Sequence, residues 1–159
     1  MMQAAIVGVA SPTLLDPEPI LVWNATASVP LGLYAIRAVS TPRVGDLVAV
    51  RPPKALAEHL AQDGYLPFGA PLLKPVAALS GQTVCRAGLT ITIDRATAVQ
   101  ARERDHAGRT LPIWRGCRTL DKREIFLLNR EEPASLDGRY FGPLPTSSII
   151  GRAVPLWTW

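Results

Sequence analysis

Asn24-Ala25-Thr26-Ala27-Ser28-Val29-Pro30-Leu31-Gly32-Leu33-Tyr34 sets a serine hydroxyl on a short, stiff run of mostly apolar residues. Pro30 fixes its own φ and drives Val29 toward extended backbone, so Ser28 enters a rigid turn. Gly32 admits backbone angles, or a close approach of another segment, that a side chain would forbid. In an extended segment alternate side chains share a face, so Thr26 and Ser28 are expected to point the same way. Taken alone, a serine beside a proline is most often an ordinary turn residue.

A serine hydroxyl becomes a nucleophile only when a neighbouring base takes its proton. The two histidines make poor candidates. His59 lies in the helical run Lys54-Ala55-Leu56-Ala57-Glu58-His59-Leu60-Ala61, and His106 in the charged, exposed run Arg102-Glu103-Arg104-Asp105-His106. Neither has apolar surroundings or an orienting carboxylate. Lys74 is the better candidate, within Pro71-Leu72-Leu73-Lys74-Pro75-Val76-Ala77-Ala78-Leu79. In such a run a lysine either points outward or is buried. If buried, desolvation lowers its pKa and the neutral amine can serve as a general base near neutral pH.

Four stretches in order resemble the successive motifs of type I signal peptidases, in the TraF-type conjugative-transfer branch. They are the Asn24–Tyr34 stretch, Gly45-Asp46-Leu47-Val48, residues 72–81, and Ser135-Leu136-Asp137-Gly138-Arg139-Tyr140-Phe141-Gly142-Pro143. The resemblance runs from about Trp23 to the C-terminus. It implies a Ser28/Lys74 catalytic dyad, with an oxyanion hole from the Ser28 N–H and the Thr26 hydroxyl. Ser135 would orient the lysine amine, and Asp137 with Arg139 would lock the C-terminal loop beside the site. The implied substrate is a secreted precursor such as a conjugative propilin, cut at its leader and in some relatives joined into a ring. Two positions depart from the pattern. Gly138 stands where many signal peptidases carry a second serine, and Ser80-Gly81 replaces Pro-Gly. Outside the motif series, Asp137-Gly138-Arg139 would read as a surface turn with an exposed ion pair.

Composition agrees with one globular domain: 159 residues, 48% apolar and 19% charged, enough for a single sizeable core. Fifteen prolines argue against a helical bundle and for strands joined by turns. The expected fold is mainly β, a signal-peptidase-like, partly open antiparallel barrel or sheet with one short helix at about 54–62. Strands are expected at 33–37, 47–51, 83–85, 89–94, 111–114, 124–128 and 149–156, and around Lys74. Residues 100–110 read as a solvated hairpin tip. Residues 1–22 are expected to be an N-terminal segment, the remnant of a membrane anchor or a linker. Residues 23–159 form the peptidase domain, with a hairpin insertion at about 83–128. The apolar run at 4–10 is too short to cross a bilayer, which takes about 20 residues. An ordinary N-terminal strand is the alternative.

Cys85 and Cys117 fall on opposite arms of that hairpin, without metal-ligand spacing or a nearby base. A disulfide between them fits an oxidising compartment, and two buried thiols are the alternative. No cofactor and no metal is expected. Net charge is +4 and the isoelectric point about 9.5. The basic residues are scattered and no nucleic-acid motif stands out, so nucleic acid is not an expected partner. A protein precursor and, weakly, an anionic membrane surface are. Trp23 near the serine would suit work against a membrane. The expected setting is the periplasmic face of the inner membrane and the expected state a monomer. The other readings are a general signal peptidase, a self-cleaving repressor (for which no DNA-binding segment precedes Ser28), and a non-catalytic β-barrel assembly module of a secretion apparatus.

Overall fold

A computed structural model describes residues 20–159. The apolar run at 4–10 lies outside the described residues, as does most of the segment expected as an anchor remnant. The last residues of that segment, Ile20 to Val22, belong instead to the main sheet: β1 (Ile20–Asn24) pairs antiparallel with β2 (Gly32–Arg37). There follow β3 (Leu47–Val50), α1 (Lys54–Gln62), β4 (Leu72–Ala78), β5 (Thr83–Ala87), β6 (Thr90–Ile93), β7 (Ala96–Gln100), β8 (Gly116–Thr119), β9 (Glu124–Leu127), α2 (Gly138–Phe141), β10 (Leu144–Pro145) and β11 (Ile149–Thr158).

The protein is mainly β, and every strand pairing among the described residues is antiparallel. Seven strands form a curled half-barrel sheet in the order β1-β2-β11-β3-β4-β9-β10, and four form a second sheet in the order β7-β6-β5-β8. The sequence explains which strands are central. β3 and β4 are nearly continuous apolar runs and almost every residue in them is buried, the pattern of a strand covered on both faces. β6 reads Thr-Ile-Thr-Ile, with Ile91 and Ile93 buried between partly exposed threonines, the alternation of a strand with one wet face. Val84, Ile91 and Ile93 of the small sheet share one apolar cluster with Ala77, Ala78 and Phe126 of the large one. The small sheet is thus packed onto the main sheet.

Helix α1 spans the expected residues. It follows Pro53, buries Leu60 and stops at Asp63, before Gly64 at positive φ. Three expectations need correction. Residues 111–114 form no strand: Pro112 has no N–H for a ladder, and Leu111 and Trp114 are used in packing. The strand comes later, at β8. The excursion from the main sheet is shorter than 83–128, because β9 pairs with β4 in the large sheet. The helix at 54–62 has a companion, the single turn α2, within the C-terminal motif. Residues 100–110 are the exposed hairpin tip expected, with Arg102–Arg104 and His106–Gly108 exposed and Arg104 bridging Thr110, but the tip is anchored at its base by the buried Ala101.

Gly32 shows why the opening stretch tolerates so little change. Its φ is +139°, and a Cβ there would lie 2.0 Å from the Trp157 carbonyl oxygen on β11. Both the backbone angle and the space demand glycine. Gly32→Ala is expected to destabilise the fold by about 3 kcal/mol or more, because the obstacle is backbone and cannot swing aside; urea unfolding of the two proteins measures it.

Candidate active site

The Ser28 turn is built around Asn24, a residue that the sequence reading quoted but gave no task. Asn24 is buried at the end of β1. Its amide donates to the carbonyls of Thr26, Val29 and Pro30 at 2.9–3.1 Å. Its Oδ1 accepts from the Thr26 N–H at 3.1 Å and the Thr26 hydroxyl at 2.8 Å. Tyr34 Oη adds a bond to the Pro30 carbonyl at 2.7 Å. One asparagine thus satisfies most of the polar backbone of a tight turn, which otherwise would have to stay in water. Thr26 and Ser28 do share a side, with their hydroxyl oxygens 3.2 Å apart. The cause is a turn through residues 26–28 and not the strand alternation expected. With the Thr26 proton given to Asn24, Thr26 is the acceptor of the pair and Ser28 the donor. Among the described residues nothing accepts from the Ser28 backbone N–H.

Lys74 points inward from β4, opposite Val48 of β3, and is 3% exposed. Its amine donates to Ser135 Oγ at 3.0 Å. Burial pushes the Lys74 pKa down from 10.5 to about 8, against the raising effect of Asp137; Arg139 lowers it further and Glu132 opposes. No carboxylate touches the amine, and its hydrogen-bond partner is a neutral hydroxyl.

Ser135 is placed by the loop between β9 and α2, and that loop is organised on Arg139. Arg139 and Asp137 are both fully buried. The Asp137 carboxylate accepts from Arg139 Nε at 2.8 Å, Arg139 Nη2 at 3.0 Å, the Arg139 N–H at 3.1 Å and the Asn129 N–H at 3.0 Å. The remaining Arg139 donors reach the carbonyls of Pro133, Asn129 and Glu132. Asn129, a second residue without a sequence-level signal, sends its side-chain amide to the Ser28 carbonyl. The lysine-holding loop and the serine turn, 101 residues apart in the chain, are therefore joined directly. The departure at Gly138 also has a reason. A Cβ there would lie 2.6 Å from both the Leu127 carbonyl and the Phe126 ring, and the Gly138 carbonyl accepts from the Trp114 indole at 2.9 Å.

Thr26, Ser28, Lys74 and Ser135 all line one cavity of about 420 Å³. No hydrogen bond joins Ser28 Oγ to Lys74 Nζ; both residues line that cavity. Its lining is otherwise mostly apolar, from Val22, Trp23, Leu66, Pro67, Ala70 and Leu136 among others, with Tyr65, His106 and Glu132. His59 is not part of it. Among the described residues no group of His, Cys, Asp and Glu side chains converges as metal ligands. Cys85 and Cys117 lie directly opposite one another on β5 and β8 and form a disulfide, away from this cavity.

The sequence matches the family described as "Signal peptidase, peptidase S26" over residues 1–159, and the chain belongs to that family. Within it the relatives are TraF proteins. The chain is 35% identical over 146 residues to a probable conjugal transfer protein TraF of Sinorhizobium fredii, covering 86% of this chain and 76% of the relative. It is 38% identical over 147 residues to the conjugal transfer protein TraF of Agrobacterium fabrum, covering 85% and 81%. A plasmid transfer protein TraF of Escherichia coli is 28% identical over 145 residues, covering 86% and 82%. Among solved structures, a signal peptidase I from Enterococcus faecalis superposes with a TM-score of 0.43 at 21% identity, over 72% of this chain and 98% of that one.

Burial of Lys74 costs the fold on the order of 3 kcal/mol at neutral pH, the linkage equivalent of a pKa lowered from 10.5 to about 8. The folded protein binds fewer protons than the unfolded chain between those values, so this cost shrinks as pH rises through that window and is gone above 10.5. Lys74→Met is expected to raise the unfolding free energy at pH 7 by on the order of 2 kcal/mol, after allowance for the bond lost to Ser135. The gain should vanish toward pH 10.5, as measured by urea titrations across pH.

Proposed function

We propose that this protein is a serine endopeptidase of the Ser/Lys type that removes the leader from a secreted precursor, a conjugative propilin. The carrying observation is the Lys74 amine, buried and held at 3.0 Å by Ser135 Oγ on the cavity that Ser28 lines. Ser28 Oγ attacks the scissile carbonyl carbon as its proton passes to the neutral Lys74 amine. The same proton goes to the leaving amine when the C–N bond breaks, leaving an acyl-enzyme on Ser28. Water then attacks the ester with Lys74 again as base; attack by the chain's own amine would give a ring by the same steps. The Ser28 N–H is one oxyanion donor. The Thr26 hydroxyl, turning from Asn24 toward the developing charge, is the other. Ser135 keeps one amine hydrogen engaged, so that the nitrogen lone pair faces away from it. Asp137 and Arg139 hold the loop that carries Ser135. The names of the TraF relatives support the conjugative setting over a general signal peptidase.

Two features support a site working at the periplasmic membrane face. The disulfide suits an oxidising compartment. Trp23, which lines the cavity, packs edge-on or tilted against Trp157 and Trp159 at centroid distances of 6.4 and 5.4 Å, those two rings lie 5.2 Å apart, and the three residues are 54–65% exposed. Ile20, Leu21 and Leu156 are exposed on the same three-stranded edge. Grouped tryptophans beside exposed aliphatic residues suit the bilayer interface.

The peptidase reading is tested by incubating propilin precursors with the wild type, Ser28→Ala, Lys74→Ala and Thr26→Val in detergent, with mass spectrometry of the products. The wild type is expected to cut with a rate rising through about pH 8 and then levelling, since only the neutral lysine is a base. Ser28→Ala and Lys74→Ala should each lose about 1,000-fold or more, and Thr26→Val on the order of 100-fold. Full-rate cutting by Lys74→Ala would refute the dyad. For the membrane face, sedimentation with anionic vesicles should show the Trp157→Ser/Trp159→Ser double variant bound about fivefold less than wild type, with its fold intact. Equal binding refutes that surface.

A further inference from the structure

The loop at residues 101–111, between β7 and β8, is more heavily tied down than its charged sequence suggests. Its two ends are buried: Ala101 and Leu111 pack with Tyr140, joined by Tyr65, Leu136 and Phe141. The Arg102 N–H donates to Tyr140 Oη at 3.1 Å. At its tip the Asp105 carboxylate is a hub. Its side chain is 5% exposed. It accepts from Tyr65 Oη at 2.5 Å, from Arg109 Nε and Nη2 at 2.7 Å each, and from the N–H groups of Ala107 and Arg109 at 2.9 and 2.8 Å. The Arg109 guanidinium lies 4.3 Å over the Tyr65 ring and donates to the Asp63 carbonyl at the end of α1.

Exposed ion pairs rarely repay the entropy of holding two long side chains still. Here the Asp105 carboxylate is buried and multiply bonded while Arg109 stays partly exposed, and the pair ties the loop to residues 63–65 at the end of α1, so it holds a segment that would otherwise be free. The consequence is local. Tyr65 and His106, on either side of the clamp, both line the cavity of Ser28 and Lys74. His106 is exposed, so its imidazole is available as a donor or acceptor on a lining that is mostly apolar.

We propose that residues 101–111 form a substrate-selecting wall of the cleft. His106 contacts the bound polypeptide, and Tyr65, Asp105 and Arg109 are positioning residues that hold it there. The inference rests on the peptidase reading of the same cavity. The substrate it fits is an extended, mainly apolar segment with a hydrogen-bonding group, backbone or side chain, presented to His106. Such a wall acts on binding of the polypeptide and not on the proton transfers at Ser28.

The test uses the full chain with a propilin precursor as probe. His106→Ala, Tyr65→Phe and Asp105→Asn are each expected to raise KM about tenfold with kcat within about twofold of wild type, the signature of lost binding that is not specific to the transition state. Hydrogen exchange should quicken at residues 101–111 in Tyr65→Phe and Asp105→Asn and stay unchanged in His106→Ala. His106→Ala/Asp105→Asn should be little worse than either single variant, since both remove the same contact. Saturating precursor on the Ser28→Ala protein should slow exchange at residues 103–110. Wild-type KM in all three variants, even with a lowered melting temperature, overturns the proposal by making the clamp merely structural. So does a precursor footprint that leaves 103–110 untouched. If Ser28→Ala cuts at the wild-type rate, the dyad reading fails while KM and the footprint still decide the wall.

Discussion

A guanidinium with almost no access to solvent is the constraint on which the site depends. Arg139 cannot shed its charge, so burial is tolerable only if its donors find partners. It spends them on both oxygens of Asp137 and on the carbonyls of Pro133, Asn129 and Glu132. A side chain that binds four points of one loop leaves that loop a single conformation. Ser135 and Asn129 are carried by it. One holds the Lys74 amine and the other the Ser28 carbonyl. The ion pair is thus a positioning device whose worth lies in geometry, since a buried pair by itself is weak evidence for stability.

Around that loop the two sheets divide the work. The large sheet supplies the rigid floor: β1 ends in the serine turn and β4 carries the lysine, with neighbours buried on both sides. The small sheet, closed by the Cys85–Cys117 bond and packed through Ile91 and Val84, reaches the site from outside. Its buried Arg86 donates to the Arg139 carbonyl, and its long loop lies against Tyr140 and Tyr65.

Much of this was legible in advance where the physics is local. The α1 boundaries followed from an alanine- and leucine-rich run between Pro53 and Asp63-Gly64. The central strands followed from apolar runs, and β6 from its alternation. Residues 111–114 misled, because an apolar run carries no mark of whether its backbone pairs or its side chains alone are used; Pro112 was the available signal. The 100–110 loop is exposed as its charges suggested, but the ties of Asp105 and Arg109 to partners 40 and 46 residues away left no local mark. The tasks of Asn24 and Asn129 were not legible because an asparagine's task is set by which carbonyls come within reach.

The sequence by itself determined α1, the central strands, the family and the residue types that chemistry would need, since these rest on neighbours in the chain and on motifs in order. Tertiary structure alone decided that Lys74 points inward and loses its water, and that Thr26 faces Ser28 through a turn held by Asn24. It alone brought Asn129 to the serine turn and Tyr65 to Asp105. Desolvation and hydrogen-bond partnership depend on what the folded chain places within a few ångströms, and distance along the sequence does not encode that.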